Sequence, residues 1–208
     1  MSQIKHVYFD VGGVTLLDYS GTDKWIEMKR ALGVTEAQDA VFDAVWKKYR
    51  DRICIDCDVD TIVKDFELAL AAKLPEKYSM LEDFTNRFEH NHSIWPVIKA
   101  TKEKYSVGLL TNMYPRMLNS IQAKKLIPDI EWNAIVDSSV VGHQKPNEEI
   151  YKVAEQMVNV EPESIFFVDN SSEHVEAAEK RGWQTLLYNP QNPEKSNQEI
   201  VDLLKLVI

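Results

Sequence analysis

Short apolar runs recur along this chain and predict buried β-strands. The first covers residues 4–10, is rich in β-prone side chains and ends just before Gly12-Gly13. Between the later runs, apolar residues recur at helical spacing, which predicts amphipathic helices. The later predicted strands are Val107–Leu110, Ala134–Asp137, Ile165–Val168 and Thr185–Leu187.

Strands that alternate with helices predict an α/β fold, a Rossmann-like parallel sheet covered by helices on both faces. Residues 22–92 interrupt this alternation, because they read as helices and contain no convincing strand. We therefore expect an inserted helical cap domain at residues 15–92. The α/β core domain would then comprise residues 1–14 and 93–208.

Composition narrows the function without identifying it. The 208 residues carry a net charge of −9, which argues against nucleic-acid binding because that needs a basic surface. We expect no membrane span, since no apolar stretch approaches the ~18 residues required. Cys54 and Cys57 lack the further ligands of a zinc site, so we expect free thiols, as in a cytoplasmic protein. A monomer or a homodimer is expected.

Polar residues follow several predicted strands directly. Asp10 follows the first, Thr111 and Asn112 follow the second, and Asp169 follows the strand at Ile165–Val168. Lys145 lies in the loop after Ala134–Asp137. Because ligands of such sheets bind at the carboxyl ends of the strands, these groups are expected to converge at one edge.

The order and spacing of these segments resemble the haloacid dehalogenase superfamily, whose members are mostly phosphatases. The branch it resembles has Asp-x-Gly-Gly-Val where most members have Asp-x-Asp. The resemblance covers nearly the whole chain, and four motifs in order carry it. They are Phe9-Asp10-Val11-Gly12-Gly13-Val14, Leu109-Leu110-Thr111-Asn112, Gly142-His143-Gln144-Lys145-Pro146 and the segment Phe166–Ala178 with Asp169-Asn170.

The resemblance implies a role for each matching position. Asp10 would attack phosphorus and form an aspartyl-phosphate, and Lys145 would neutralise charge on Asp10 and on the phosphoryl group. The substrate-binding positions would be Gly12, Gly13, Thr111, Asn112 and Lys145. Mg²⁺ would be held by Asp10, the backbone carbonyl of Gly12 and Asp169. The implied function is a Mg²⁺-dependent phosphatase for a small phosphorylated metabolite, with sugar phosphates favoured by family analogy alone.

One departure from the pattern keeps other functions open. Most phosphatases of this superfamily carry a second Asp two residues after the nucleophile as the general acid, and here that position is Gly12. Asp18, His143 and the cap segment are possible substitutes. The alternatives are a metal-independent 2-haloacid dehalogenase and a non-catalytic protein that binds phosphate ligands. Asn170 and Glu173 are further candidates near the metal.

Overall fold

The computed structural model describes residues 3–208, which form seven β-strands and ten α-helices. None of these helices has the length and apolar character needed to cross a bilayer. The strands are β1 (His6–Phe9), β2 (Leu16–Leu17), β3 (Glu89–His90), β4 (Ser106–Thr111), β5 (Ala134–Asp137), β6 (Ile165–Asp169) and β7 (Gln184–Leu187). The helices are α1 (Lys24–Ala31), α2 (Asp39–Tyr49), α3 (Val63–Leu70), α4 (Met80–Asn86), α5 (Trp95–Lys104), α6 (Met117–Ala123), α7 (Ser138–Val141), α8 (Glu148–Val158), α9 (Ser172–Lys180) and α10 (Pro193–Leu204).

Five strands form one parallel sheet in the order β5-β4-β1-β6-β7. The predicted α/β fold is therefore confirmed, and each predicted core strand is present with bounds shifted by at most two residues. Phe9 on β1 lies opposite Leu109 on β4 and Val168 on β6. The residues that follow these three strands consequently emerge side by side.

Apolar side chains cover both faces of the sheet, as a buried parallel sheet requires. Val7 and Phe9 point into a core that also contains side chains of α5 and α10. Tyr8 points to the opposite core, which is formed with α8 and α9. Because side chains of β1 pack alternately into the two cores, the end of this strand has a fixed position. Asp10, the next residue, is positioned by it.

The segment between β1 and α5 contains α1 to α4, as the helical periodicity predicts. It also contains a two-stranded antiparallel pair, in which Leu16 lies opposite His90 and Leu17 opposite Glu89. The expectation that residues 22–92 contain no strand is wrong at Glu89–His90. Two residues are too few to produce the alternation by which a strand is recognised. This pair joins the two ends of the segment, and the division at residues 14/15 and 92/93 stays a prediction.

His6 is a buried histidine in the central strand. Its Nδ1 lies 2.8 Å from Ser106 Oγ, whereas its Nε2 has no hydrogen-bond partner within residues 3–208. Burial lowers the pKa of His6 to about 4. Position 108 must be glycine here, because a Cβ would lie 2.9 Å from His6 Nε2 and 2.8 Å from the ring of Tyr8.

The pKa of His6 predicts a pH-dependent stability. Between pH 6.5 and about 4 an unfolded histidine takes up a proton that folded His6 does not, so stability falls as the pH falls. Over this range the free energy of unfolding of the wild type should drop about 3 kcal/mol more than that of His6→Gln. Urea denaturation across the range measures both, and parallel pH profiles would contradict the prediction.

Candidate active site

A buried lysine lies between two carboxylates at the carboxyl edge of the sheet. Lys145 Nζ is 3.0 Å from Asp10 Oδ1 and donates a hydrogen bond of 2.6 Å to Asp169 Oδ2. A second hydrogen bond from Nζ, of 2.9 Å, goes to the carbonyl oxygen of Leu110. All three predicted residues are nearly inaccessible to solvent. The structure thus brings together side chains from three distant parts of the sequence.

The loop that carries Lys145 is fastened to the end of β4 by Asn112. Asn112 Nδ2 donates to the Lys145 carbonyl oxygen at 2.9 Å, and the Lys145 N–H donates to Asn112 Oδ1 at 2.7 Å. This reciprocal pair fixes the lysine backbone. The resemblance implies only that Asn112 binds substrate, so the positioning role of its side chain is an addition.

Thr111 presents an unsatisfied polar atom beside these charges. The side chain is 1 % exposed, and its Oγ1 has no hydrogen-bond partner in the described part of the chain. A buried hydroxyl without a partner costs free energy of about 1–3 kcal/mol. Because Thr111 also lines the adjoining cleft, a bound oxyanion could accept this hydrogen bond.

Asp10, Asp169 and His174 form a candidate metal centre. One ligand atom from each lies within 4.8 Å of the other two. His174 Nδ1 is 3.1 Å from Asp169 Oδ2, and the Ser171 N–H donates to Asp169 Oδ1 at 2.8 Å. His174 was not predicted from the sequence, in which Glu173 was the candidate near the metal. Glu173 is exposed in a separate surface depression. The start of α9 decides which of these neighbours faces Asp169.

Gly13, the second glycine of the loop after Asp10, has a backbone conformation that favours glycine. Gly13 has φ +73°, and a Cβ there would collide with the side chain of Asn170. Asn170 lines the cleft together with Asp10. Close packing of this loop against Asn170 therefore excludes a side chain at position 13.

The first glycine leaves space that another carboxylate fills. A Cβ placed on Gly12 would lie 2.5 Å from Asp18 Oδ2. Asp18 lines the cleft, and its Oδ1 accepts a hydrogen bond of 2.8 Å from the Ser20 N–H. Burial raises the pKa of Asp18 above its ordinary value. Of the two individual residues among the three substitutes named from the sequence, Asp18 lines the cleft and His143 does not.

The two central carboxyl groups have different pKa values. Burial raises the pKa of Asp10 to about 6, although Lys145 acts in the opposite direction. Burial also acts to raise the pKa of Asp169, but Lys145 and His174 prevail and lower it to about 2. Burial alone would lower the pKa of Lys145, and the two carboxylates raise it. Asp169 and Lys145 thus form the ionised pair.

These residues fit a divalent cation and a phosphate together. With both carboxylates ionised, Asp10, Asp169 and Lys145 leave one uncompensated negative charge in a buried place, which a cation would offset. Carboxylate oxygens are suitable ligands for Mg²⁺. The free Thr111 hydroxyl and the Lys145 ammonium suit phosphate oxygens.

A cleft of about 610 Å³ opens above this centre. Its polar end contains Asp10, Gly12, Thr111 and Asn112, all predicted to bind substrate or metal. The remaining lining comes largely from residues 16–88. The volume lies within the range typical of small-molecule sites.

The two cysteines and the surface histidines His90 and His92 lie apart from this chemistry or are inert. Cys54 and Cys57 are free thiols, and burial raises the pKa of Cys54 to about 12, which suppresses its reactivity. His90 and His92 stack at 4.8 Å on the surface. Neither histidine belongs to a group of three potential metal ligands among residues 3–208.

The fold and the site together define an α/β protein with a Rossmann-like parallel sheet and a buried carboxylate at the carboxyl end of its first strand. Residues 4–182 match the family described as haloacid dehalogenase-like hydrolase. The chain belongs to this family. The predicted superfamily is thereby confirmed, while the branch with Asp-x-Gly-Gly-Val stays a prediction.

Solved structures share the fold at low sequence identity. A haloacid dehalogenase-family enzyme from Bacteroides thetaiotaomicron has a TM-score of 0.74 at 16 % identity, covering 91 % of this chain and 95 % of that one. The same protein was also crystallised with magnesium and inorganic phosphate. An L-2-haloacid dehalogenase from Xanthobacter autotrophicus has a TM-score of 0.62 at 17 % identity, covering 88 % and 76 %.

A curated relative is similar over part of its length. The chain is 23 % identical over 151 residues to bifunctional epoxide hydrolase 2 of Sus scrofa. The match covers 68 % of this chain and 25 % of the relative. The chain therefore spans about a quarter of that protein.

Proposed function

We propose that this chain is a Mg²⁺-dependent phosphatase that hydrolyses a small phosphorylated metabolite through an aspartyl-phosphate at Asp10. The observation that carries the proposal is the buried Asp10–Lys145–Asp169 arrangement beside the unpartnered Thr111 hydroxyl. A cytoplasmic location and a monomeric or dimeric state stay predictions.

Lys145 addresses the main electrostatic obstacle to this reaction. A carboxylate that approaches a phosphate dianion is repelled by about 4 kcal/mol per unit charge at ~4 Å and an effective dielectric of ~20. The Lys145 ammonium, 3.0 Å from Asp10, offsets part of this repulsion. Thr111 Oγ1 donates to a phosphoryl oxygen, and the Asn112 side chain keeps Lys145 in place. Such fixed charges and donors need little reorganisation during the reaction.

Mg²⁺ would be held by Asp10, Asp169 and the backbone carbonyl of Gly12, with His174 within reach of the same position. When bound, the ion supplies positive charge to the phosphoryl oxygens. All other steps of the proposed mechanism are carried out by residues of the chain.

Asp18 supplies the proton that Gly12 cannot. An oxygen of Asp10 forms a bond to phosphorus while the ester bond breaks, and the leaving oxygen takes a proton from the Asp18 carboxyl group. Water then attacks the aspartyl-phosphate, gives its proton to the Asp18 carboxylate, and inorganic phosphate leaves. The placement of Asp18 Oδ2 next to Gly12 supports this role.

A metal-independent 2-haloacid dehalogenase is the second candidate. Gly12 favours it, because dehalogenation through an Asp nucleophile needs no acid at that position. The fold similarity to a haloacid dehalogenase accommodates it as well. The carboxylate pair around Lys145 favours the phosphatase instead. A binding protein without turnover is the third candidate.

Product assays separate the three candidates. The purified chain, first stripped with EDTA, is incubated with simple phosphate monoesters or with 2-chloropropionate, each with and without Mg²⁺. We expect release of phosphate that depends on Mg²⁺ and no release of chloride. Chloride release without Mg²⁺ would identify a dehalogenase, and calorimetric binding of phosphate esters without release would identify a binding protein.

A further inference from the structure

Much of the lining of the cleft outside its polar end is aromatic. Its rings belong to Tyr19, Trp25, Trp46, Phe84, Phe88 and Tyr114. Four of the six lie on or next to α1, α2 and α4, so different elements converge to build one surface. A ligand whose phosphate lies at Asp10 would extend its organic part towards these rings.

This aromatic wall is held in place by its own contacts. Trp46 packs against three of the other rings, with ring centroids 5.0 Å from Trp25, 5.7 Å from Phe84 and 5.9 Å from Tyr114. Behind it, Phe42 and Phe66 stack at 4.3 Å. A wall packed in this way needs little rearrangement to receive a ligand, which favours binding.

Rings outnumber polar groups on the side of the cleft that would receive the organic part of a ligand, where the polar atoms are the hydroxyls of Tyr19 and Tyr114, the indole Nε1 of Trp46 and the Asp43 carboxylate. Asp43 is the carboxylate on the aromatic side of the cleft, and it already accepts hydrogen bonds from Lys29 Nζ and Trp25 Nε1, both at 3.3 Å. Asp18 and Ser20 lie near the phosphate end and bond to each other. A sugar carries more hydroxyl groups than this lining has polar atoms to pair with them, and each buried hydroxyl left unpaired weakens binding.

We propose that the substrate is a phosphate monoester of an apolar, ring-bearing alcohol rather than a sugar phosphate. The inference rests on the proposed phosphatase function. The aromatic lining of the cleft, and not the family analogy that favoured sugar phosphates, determines the expected substrate class. Burial of a phenyl-sized group against the aromatic wall favours such an ester by about 10- to 100-fold.

Two esters of primary alcohols test the substrate class without a difference in leaving group. We expect kcat/KM for benzyl phosphate to exceed that for glucose 6-phosphate by at least about tenfold.

Trp46→Ala should lower kcat/KM for benzyl phosphate about tenfold and leave kcat/KM for methyl phosphate nearly unchanged. Leu68→Ala, at an exposed position of the same segment, is the matched control and should change neither. Equal turnover of the two esters, or an equal loss for benzyl and methyl phosphate in Trp46→Ala, would overturn the inference.

A binding measurement separates this inference from the proposed function. Benzylphosphonate and methylphosphonate lack the cleavable bond, and binding to the wild type is followed by tryptophan fluorescence. Tighter binding of benzylphosphonate without hydrolysis of any ester would support the aromatic site and refute the phosphatase. Equal binding of the two phosphonates would refute the aromatic site, whatever the enzyme hydrolyses.

Discussion

Asp10→Asn should abolish phosphate release, with a loss of at least about 10⁴-fold in kcat. The amide has the shape of the carboxylate, but it carries no charge and cannot act as the nucleophile. The fold should be retained, because the substitution removes a carboxylate whose burial is unfavourable, as its raised pKa of about 6 indicates. Phosphate release and thermal unfolding followed by circular dichroism measure the two effects.

Asp137→Asn is the matched control for this substitution. Asp137 ends the neighbouring strand β5, has the same 7 % exposure as Asp10 and does not line the cleft. Its side chain accepts a hydrogen bond from the Ser139 N–H, and asparagine preserves this acceptor. We expect activity within about threefold of the wild type. Comparable losses in the two variants would show that the effect at Asp10 is structural.

Asp18→Asn should lower kcat/KM for benzyl phosphate by about 10²–10⁴-fold, the usual contribution of a general acid. The loss should be much smaller for 4-nitrophenyl phosphate, because its leaving oxygen departs without a proton. Steady-state kinetics with both esters give the comparison. Full activity of Asp18→Asn on benzyl phosphate would remove Asp18 from the mechanism.

Gly12→Asp distinguishes two hypotheses: that Asp18 acts as the general acid, and that the acid missing at position 12 limits the rate. If the missing acid limited the rate, adding it back should raise activity. We expect a decrease, because a Cβ at position 12 would lie 2.5 Å from Asp18 Oδ2 and would push the Asp18 carboxyl group, the proposed acid, out of its position. The double variant Gly12→Asp/Asp18→Gly moves the carboxylate and removes the clash, so it should be more active than either single variant. A gain in Gly12→Asp alone would contradict the assignment.

The core of the fold could be predicted because its strands are apolar and its helices periodic. The same pattern predicted the polar groups at the strand ends, since Asp10, Thr111 and Asp169 each end or follow a strand of the parallel sheet. These features depend on local sequence and on one general property of parallel sheets. The position of Lys145 in the loop after Ala134–Asp137 predicted the same edge for this residue, and only its role beside Asp10 was implied by the family resemblance.

Features that depend on distant packing could not be predicted. The choice between Asp18 and His143 needs the path of the loop after Gly13, which the sequence does not specify. His174, and not Glu173, lies beside Asp169 because of the residue at which α9 begins. The aromatic wall joins Trp25, Trp46 and Tyr114 from segments far apart in the chain.

The covalent intermediate tests the central claim most directly. Wild-type protein is mixed with a turned-over ester and Mg²⁺, quenched in acid within milliseconds, digested and analysed by mass spectrometry. The account predicts the mass of one phosphoryl group on the peptide that contains Asp10, and its absence in Asp10→Asn. Turnover with an unmodified Asp10 peptide, or with the phosphoryl group on another residue, would contradict it.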